Sequence, residues 1–167
     1  MEMINIILNI LMWISIVQLT TIAHELGHAI PALFFSKDKV RMYLGIAKNN
    51  EKSYSIGSLQ VVFRGFHPFT GFVRWNNNKL SRIQESIAVI GGPITSLLIA
   101  ISLFLFGNSF GSGVLTNMIK LTAYYNFYQF IVTAIPIQYP SWWGGYGGYK
   151  SDGLNALEML KIEVKEN

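Results

Sequence analysis

The feature that most constrains this chain is a stretch of 32 residues, Ile4 to Phe35, in which Glu25 is the only charged side chain. As an α-helix it would be ~48 Å long at 1.5 Å per residue, which exceeds the ~30 Å hydrocarbon core of a bilayer. The stretch therefore predicts a membrane-spanning helix that tilts, bends or protrudes. Pro31 cannot donate a hydrogen bond to the Gly27 carbonyl, so we expect any bend in the turn after His28. Because no basic region precedes the stretch and no small-residue cleavage site ends it, a retained span is favoured over a signal peptide.

Two further apolar segments have the length of membrane spans. One includes "IAVIGGPITSLLIAISLFLF", Ile87 to Phe106, and the other runs from about Val114 to Ile135. Only 13% of the residues are charged, whereas soluble domains average ~25%. The sequence thus predicts one α-helical polytopic membrane domain over residues 1–167, integral to the lipid bilayer and multi-pass. Its three core transmembrane helices are expected at about 4–35, 84–106 and 114–135.

The segment 36–82, between the first two predicted spans, contains nine of the 13 Lys and Arg residues. By the positive-inside rule it should be cytoplasmic. Three stretches in it, "KVRMYLGI", "SLQVVFRGF" and "HPFTGFVRW", are rich in β-branched and aromatic residues and predict short strands. We therefore expect a small membrane-associated β segment here. The net charge of +4 is concentrated in this segment, which favours contact with a membrane surface over binding of nucleic acid.

The third predicted span is followed by "PIQYPSWWGGYGGYKSDG", whose Pro and Gly content excludes a regular helix. A short amphipathic helix is then predicted at 153–165. The aromatic cluster Trp142, Trp143, Tyr146 and Tyr149 is typical of an anchor at the membrane interface. A lid over a nearby site is the alternative.

Three ionisable side chains lie inside the first predicted span. His24 and His28 are four residues apart, so on a helix they share a face and their imidazoles can bind one metal ion. Glu25 can reach a water on that metal without being a ligand, which is the H-E-x-x-H arrangement of zinc hydrolases. Such a match also occurs by chance in soluble helices. Here, however, an unpaired ionisable residue would cost ~2.5–3.5 kcal/mol in the membrane, so a functional site is favoured.

Two histidines leave a catalytic zinc one protein ligand short of the usual three. The chain has no cysteine, so the third ligand must be His, Asp or Glu. Asp152 precedes a predicted helix, and its carboxylate could either cap that helix or bind the metal. His67, in the basic segment, fits a surface role better than ligation.

Several motifs, in chain order, resemble those of the site-2 protease family of intramembrane zinc metalloproteases. "HELGHAIPALFF" is similar to that family's first core helix and "PFTGFVRW" to its Gly-containing membrane-associated strand. "GGPITS" resembles its G-P motif on the next span, and "NFYQFIVTAIP" with "SDG" its Asn-to-Pro and Asp-Gly elements. The resemblance covers nearly the whole chain.

The resemblance implies a Zn²⁺-dependent metalloendopeptidase that cleaves peptide bonds in or next to transmembrane segments of membrane protein or peptide substrates. It implies His24, His28 and Asp152 as zinc ligands, Glu25 as the catalytic base, and substrate or oxyanion contact by Asn126. A substrate could also pair as an added strand with segment 66–75, which includes Gly71 and Phe72. The active site is expected toward the cytoplasmic side.

The chain departs from the family pattern at three places. Thr133 stands where an Asn usually precedes the Pro, Ser96 replaces a common Asn after the G-P motif, and about ten extra residues separate Pro136 from Asp152. A non-catalytic metal-binding membrane adaptor with the same fold is the alternative function. The retained Glu25 favours the enzyme. A metal transporter is disfavoured because the second and third predicted spans carry few polar residues.

Overall fold

Four α-helices dominate the part of the chain that the computed structural model describes, residues 2–46, 51–111 and 113–166. Each lies within a few residues of a helix predicted from the sequence. The first two are long and apolar enough to span a membrane. The third does not meet the same criterion, so the third span stays a prediction. The helices are α1 (Glu2–Ser36), α2 (Arg82–Phe106), α3 (Val114–Ala134) and α4 (Asp152–Glu166).

Helix α1 continues through Pro31 without a break. Because proline has no N–H, the Gly27 carbonyl lacks its usual helical partner. That carbonyl lies against α2, where a Cβ on Gly91 would be only 2.0 Å from the Gly27 oxygen. The bare Cα of Gly91 therefore allows α1 and α2 to approach closely, a common role of glycine between membrane helices.

A four-stranded sheet lies between α1 and α2 in sequence, in the order β2-β3-β1-β4. Strand β1 pairs in parallel with β3 and antiparallel with β4, while β2 and β3 form a hairpin. Three strands were expected. The additional strand, β2, carries the alternating sequence "KSYSI" and is followed by a tight turn at Gly57. The strands are β1 (Val40–Leu44), β2 (Lys52–Ile56), β3 (Leu59–Phe63) and β4 (Gly71–Arg74).

Strand β4 is an edge strand whose free side faces away from β1. The Gly45 N–H donates to the Thr70 carbonyl at 2.8 Å, and the register continues with Leu44 opposite Gly71. Hydrogen-bonded and non-hydrogen-bonded pairs alternate along an antiparallel ladder. The N–H and C=O groups of Gly71 and Val73 consequently point to the free edge.

The sheet is attached to the helices by an apolar cluster. Val40 of β1 packs with Ala29 and Ala32 of α1 and with Ala88 of α2, and all four are fully buried. Small side chains on both helices leave room for the strand. This packing holds β4 beside the carboxyl-terminal half of α1, where the candidate site lies.

A compact loop connects α3 to α4, and we call residues 139–149 the aromatic loop. Its ends are joined, since the Tyr139 N–H donates to the Tyr149 carbonyl at 2.9 Å and the Gly148 N–H to the Tyr139 carbonyl at 3.1 Å. Gln138 and Lys150 form an antiparallel bridge just outside it. The loop therefore folds back on itself and delivers the chain directly to Asp152.

Candidate metal centre and cavity

The Nε2 atoms of His24 and His28 lie 3.3 Å apart on the face of α1 that packs on α2. Both side chains are buried, with 4% and 7% of their surface exposed. Gly92 of α2 makes this possible, because a Cβ there would lie 2.2 Å from the His28 Nε2 and 2.8 Å from the His24 Nε2. The i, i+4 spacing thus aims both imidazoles at one point, as the sequence predicts.

Helix α2 also orients both rings through their other nitrogens. The His28 Nδ1 lies 3.0 Å from the Ala88 carbonyl, and the His24 Nδ1 lies 2.9 Å from the Ser96 hydroxyl oxygen. Because a carbonyl can only accept, the shorter contact, with Ala88, requires a proton on the His28 Nδ1, and the Nε2 lone pair is then left for a ligand. The Gly92 N–H also lies against this Nδ1, at 3.3 Å, a contact that requires the other tautomer. Ser96, noted in the sequence only as a departure from the family pattern, therefore has a structural role in fixing His24.

Asp152 completes the cluster from the first turn of α4. Its Oδ2 lies 3.4 Å from the His24 Nε2 and 3.5 Å from the His28 Nε2. Burial acts to raise the pKa of the Asp152 carboxyl, but the adjacent His28 and His24 outweigh it and hold that pKa well below its ordinary value. The group is therefore a carboxylate, as a metal ligand must be.

The neighbours of Asp152 explain why it is free to face the histidines. The Ser151 hydroxyl, not the Asp152 carboxylate, accepts the Leu154 N–H at 3.1 Å and so caps α4. Gly153 packs on the end of α3, where a Cβ would lie 1.9 Å from the Ala134 carbonyl oxygen. The sequence left two roles open for Asp152, helix cap or metal ligand. Because Ser151 supplies the cap, the Asp152 carboxylate is available as a ligand.

The donor set fits a zinc ion. One ligand atom from each of His24, His28 and Asp152 lies within 4.8 Å of the other two, and two imidazoles with one carboxylate form a set found in catalytic zinc sites. The two Nδ1 contacts supply the outer-shell partners that such ligands need. No other comparable group of His, Asp and Glu occurs among the described residues.

Glu25 lies beside the cluster and is 4% exposed. It contacts the start of β4 so closely that a Cβ on Gly71 would be 2.5 Å from the Glu25 Cγ and Oε1. Both residues, with the metal cluster and Phe72, line a cavity of about 530 Å³. The Gly-containing strand predicted in the sequence is therefore the wall against which Glu25 rests.

The other wall of the cavity is formed by α3. Gln129 and Thr133 line it, whereas Asn126 does not. Asn126 is fully buried and donates to the Thr122 carbonyl at 2.8 Å. The substrate role expected for Asn126 stays a prediction that this placement does not support. Thr133, which occupies the family's Asn position, lies at the cavity instead.

The remaining candidates divide between the cavity and the surface. His67 lines the cavity and bonds to the Thr70 hydroxyl at 2.7 Å, outside the metal cluster. Trp142 is 77% exposed, consistent with an anchor. Other residues of the aromatic loop line the cavity, namely Tyr139, Trp143, Tyr146 and Tyr149. The lid alternative stays a prediction.

The model of peptidase family M50 matches residues 3–145 of the chain. The matched range contains His24, Glu25, His28 and Gly71, and it ends within the aromatic loop, before Asp152. No curated protein matches the chain.

Proposed function

Because the chain belongs to peptidase family M50, the site-2 protease family, we propose that it is an intramembrane zinc metalloprotease. It hydrolyses peptide bonds in or next to transmembrane segments of membrane proteins or peptides. The observation that carries the proposal is the convergence of His24, His28 and Asp152 within 4.8 Å beside a cavity that Glu25 also lines. The aligned range, two helices able to span a membrane and the donor set all support it.

His24, His28 and Asp152 would hold the metal, with Ser96 and the Ala88 carbonyl keeping the two rings in place. A zinc ion held there would act as a Lewis acid, making water a better nucleophile and polarising the scissile carbonyl. Glu25 is the general base that accepts a proton from the attacking water and then returns it to the leaving amine. Its burial against Gly71 excludes bulk water from that carboxylate.

Substrate binding is assigned to β4 and α3. An extended segment of substrate pairs with the free edge of β4, at Gly71 and Val73, and contacts the Phe72 side chain. The cavity continues along α3 past Tyr125, Tyr128 and Gln129, which provides a path from the membrane interior. On this proposal α3 is the third span, because 21 residues at ~1.5 Å per residue make a helix about as long as the ~30 Å hydrocarbon core is thick. The basic segment 36–82 supports a site on the cytoplasmic side.

The test combines zinc content with cleavage in detergent-purified protein. Zinc is measured by elemental mass spectrometry, and cleavage with a quenched-fluorescent single-span peptide whose apolar segment contains a Gly-Ser pair. Wild type should hold about one zinc and cleave the probe. Glu25→Gln should keep the zinc and lose about 10²–10⁴-fold in rate, whereas His28→Ala and Asp152→Asn should lose both.

The matched control is Glu158→Gln, which neutralises another carboxylate of α4, one that pairs with Lys150 away from the metal cluster. It should keep both zinc and cleavage. Wild type that binds no zinc after reconstitution would contradict the proposal. Zinc without cleavage of any peptide in a panel of single-span probes would favour a metal-binding adaptor.

A further inference from the structure

The Tyr146 hydroxyl of the aromatic loop makes two hydrogen bonds to a single residue of β4. It accepts from the Gly71 N–H at 2.9 Å and donates to the Gly71 carbonyl at 3.3 Å. These two groups point to the free edge of the sheet. One side chain thus occupies the position where the backbone of a further strand would pair.

The next outward-facing residue on that edge is Val73. No side chain among the described residues hydrogen-bonds to the Val73 N–H or C=O. Val73 forms a non-hydrogen-bonded pair with Met42, so both groups point away from β1. An added strand would therefore find Val73 open and Gly71 blocked. Binding at both residues requires the Tyr146 hydroxyl to leave.

We propose that Tyr146 is a specificity-determining residue that closes the edge of β4, so that a peptide reaches the site only by displacing it with two backbone hydrogen bonds of its own. This inference rests on the proposed peptidase function. A segment that stays helical satisfies its backbone internally and offers no such bonds. A segment that can become extended offers them, so the contact selects unwound substrate.

The contacts of Tyr146 suit a closure that can open. Its ring packs on Phe72 and Tyr139, with ring centroids 5.2 Å and 6.0 Å apart. Burial raises the pKa of the Tyr146 phenol well above its ordinary value, so the hydroxyl stays protonated and able to donate. Gly144 and Gly148, on either side, have φ of +51° and +80°, conformations that favour glycine.

The closed edge lies directly over Glu25. Since a Cβ on Gly71 would touch the Glu25 carboxylate, a peptide that takes the place of the Tyr146 hydroxyl passes beside the general base. The same displacement therefore admits the substrate and positions its backbone for attack.

The first test measures binding without hydrolysis, in the zinc-loaded Glu25→Gln protein in detergent. The probe is a fluorescein-labelled peptide of ten residues with alternating Thr and Val, followed by fluorescence anisotropy. In this background, Tyr146→Phe should tighten peptide binding about fivefold, because the peptide no longer has to displace the Tyr146 hydroxyl from the Gly71 backbone. The control, Tyr124→Phe, removes a hydroxyl from an exposed side chain of α3 that does not line the cavity, and it should leave binding unchanged.

A second peptide and a second readout define the mechanism. The same peptide N-methylated at alternate residues cannot pair with β4 and should gain nothing from Tyr146→Phe. Hydrogen exchange of the Gly71 amide should be faster in Tyr146→Phe than in wild type or Tyr124→Phe. The proposal would be overturned if Tyr146→Phe did not tighten binding of the unmethylated peptide, or if it tightened binding of both peptides equally.

Kinetics separate this inference from the proposed function. With Glu25 intact, Tyr146→Phe should lower KM about fivefold at unchanged kcat. A lower kcat at unchanged KM would place the hydroxyl in the reaction itself and overturn the inference while leaving the protease in place. Tighter peptide binding without any cleavage would support the closed edge and contradict the proposed peptidase activity.

Discussion

The substitution Gly92→Ala tests whether the space above the two histidines is required for metal binding. An added Cβ would lie 2.2 Å from the His28 Nε2 and 2.8 Å from the His24 Nε2. Ordinary van der Waals contact begins near 3.4 Å, so the His28 ring must retreat by more than about 1 Å. Zinc–nitrogen bonds of ~2.0–2.1 Å tolerate deviations of only about 0.2 Å.

The expected result is zinc binding at least about 100-fold weaker than in wild type, which corresponds to about 2.7 kcal/mol. Helix propensity acts in the opposite direction, since Gly→Ala within a helix stabilises it by roughly 0.5–1 kcal/mol. Loss of zinc with unchanged helix content therefore reports the collision with the imidazoles rather than a weakened α2.

Zinc affinity is measured by competition with a fluorescent chelator, alongside circular dichroism and size-exclusion chromatography in detergent. Gly107→Ala is the control, because its Cβ would meet only the side-chain methyl of Ile119, at 2.6 Å, at the far end of α2. It should bind zinc as wild type does. Wild-type zinc affinity in a well-folded Gly92→Ala protein would refute the reasoning.

Two further substitutions separate the metal from the general base. Ser96→Ala removes the hydroxyl beside the His24 Nδ1 and should weaken zinc binding about 10–100-fold; a chelator competition that matches wild type would show that Ser96 does not orient the ring. Gly71→Ala places a Cβ 2.5 Å from the Glu25 Oε1, so the protein should keep zinc but cleave about 100-fold more slowly. Elemental analysis measures the zinc and the fluorescent peptide measures cleavage. Full activity would show that the contact between Gly71 and Glu25 does not matter for catalysis.

The spacing of residues along one helix predicted the centre of the site. His24 and His28 share a face because the helical repeat dictates it. The bounds of the four helices followed from apolar length and from Pro and Gly positions. These features depend on local sequence, which a single chain displays directly.

Contacts between distant segments were not visible in the same way. Asp152 could be a cap or a ligand until the Ser151 hydroxyl was seen to cap α4. Ser96 lies 72 residues from His24, and Tyr146 lies 75 residues from Gly71. Such pairs depend on the angle between helices and on the path of a loop, which no local pattern encodes. Strand β2 was missed for a different reason, since "KSYSI" is short and exposed on its whole length.

The three candidate metal ligands come from distant parts of the chain, two from α1 and one from the first residue of α4. An ion held by all three closes a loop of about 120 residues, and such a closure removes conformational freedom mainly from the unfolded chain. The free energy of metal binding is then also free energy of folding. Helix α4 also packs on α2 and α3, and the ion would add a further tether for the carboxyl-terminal end. The supply of zinc would thereby govern how long the folded protein persists in its membrane as well as what it can cleave.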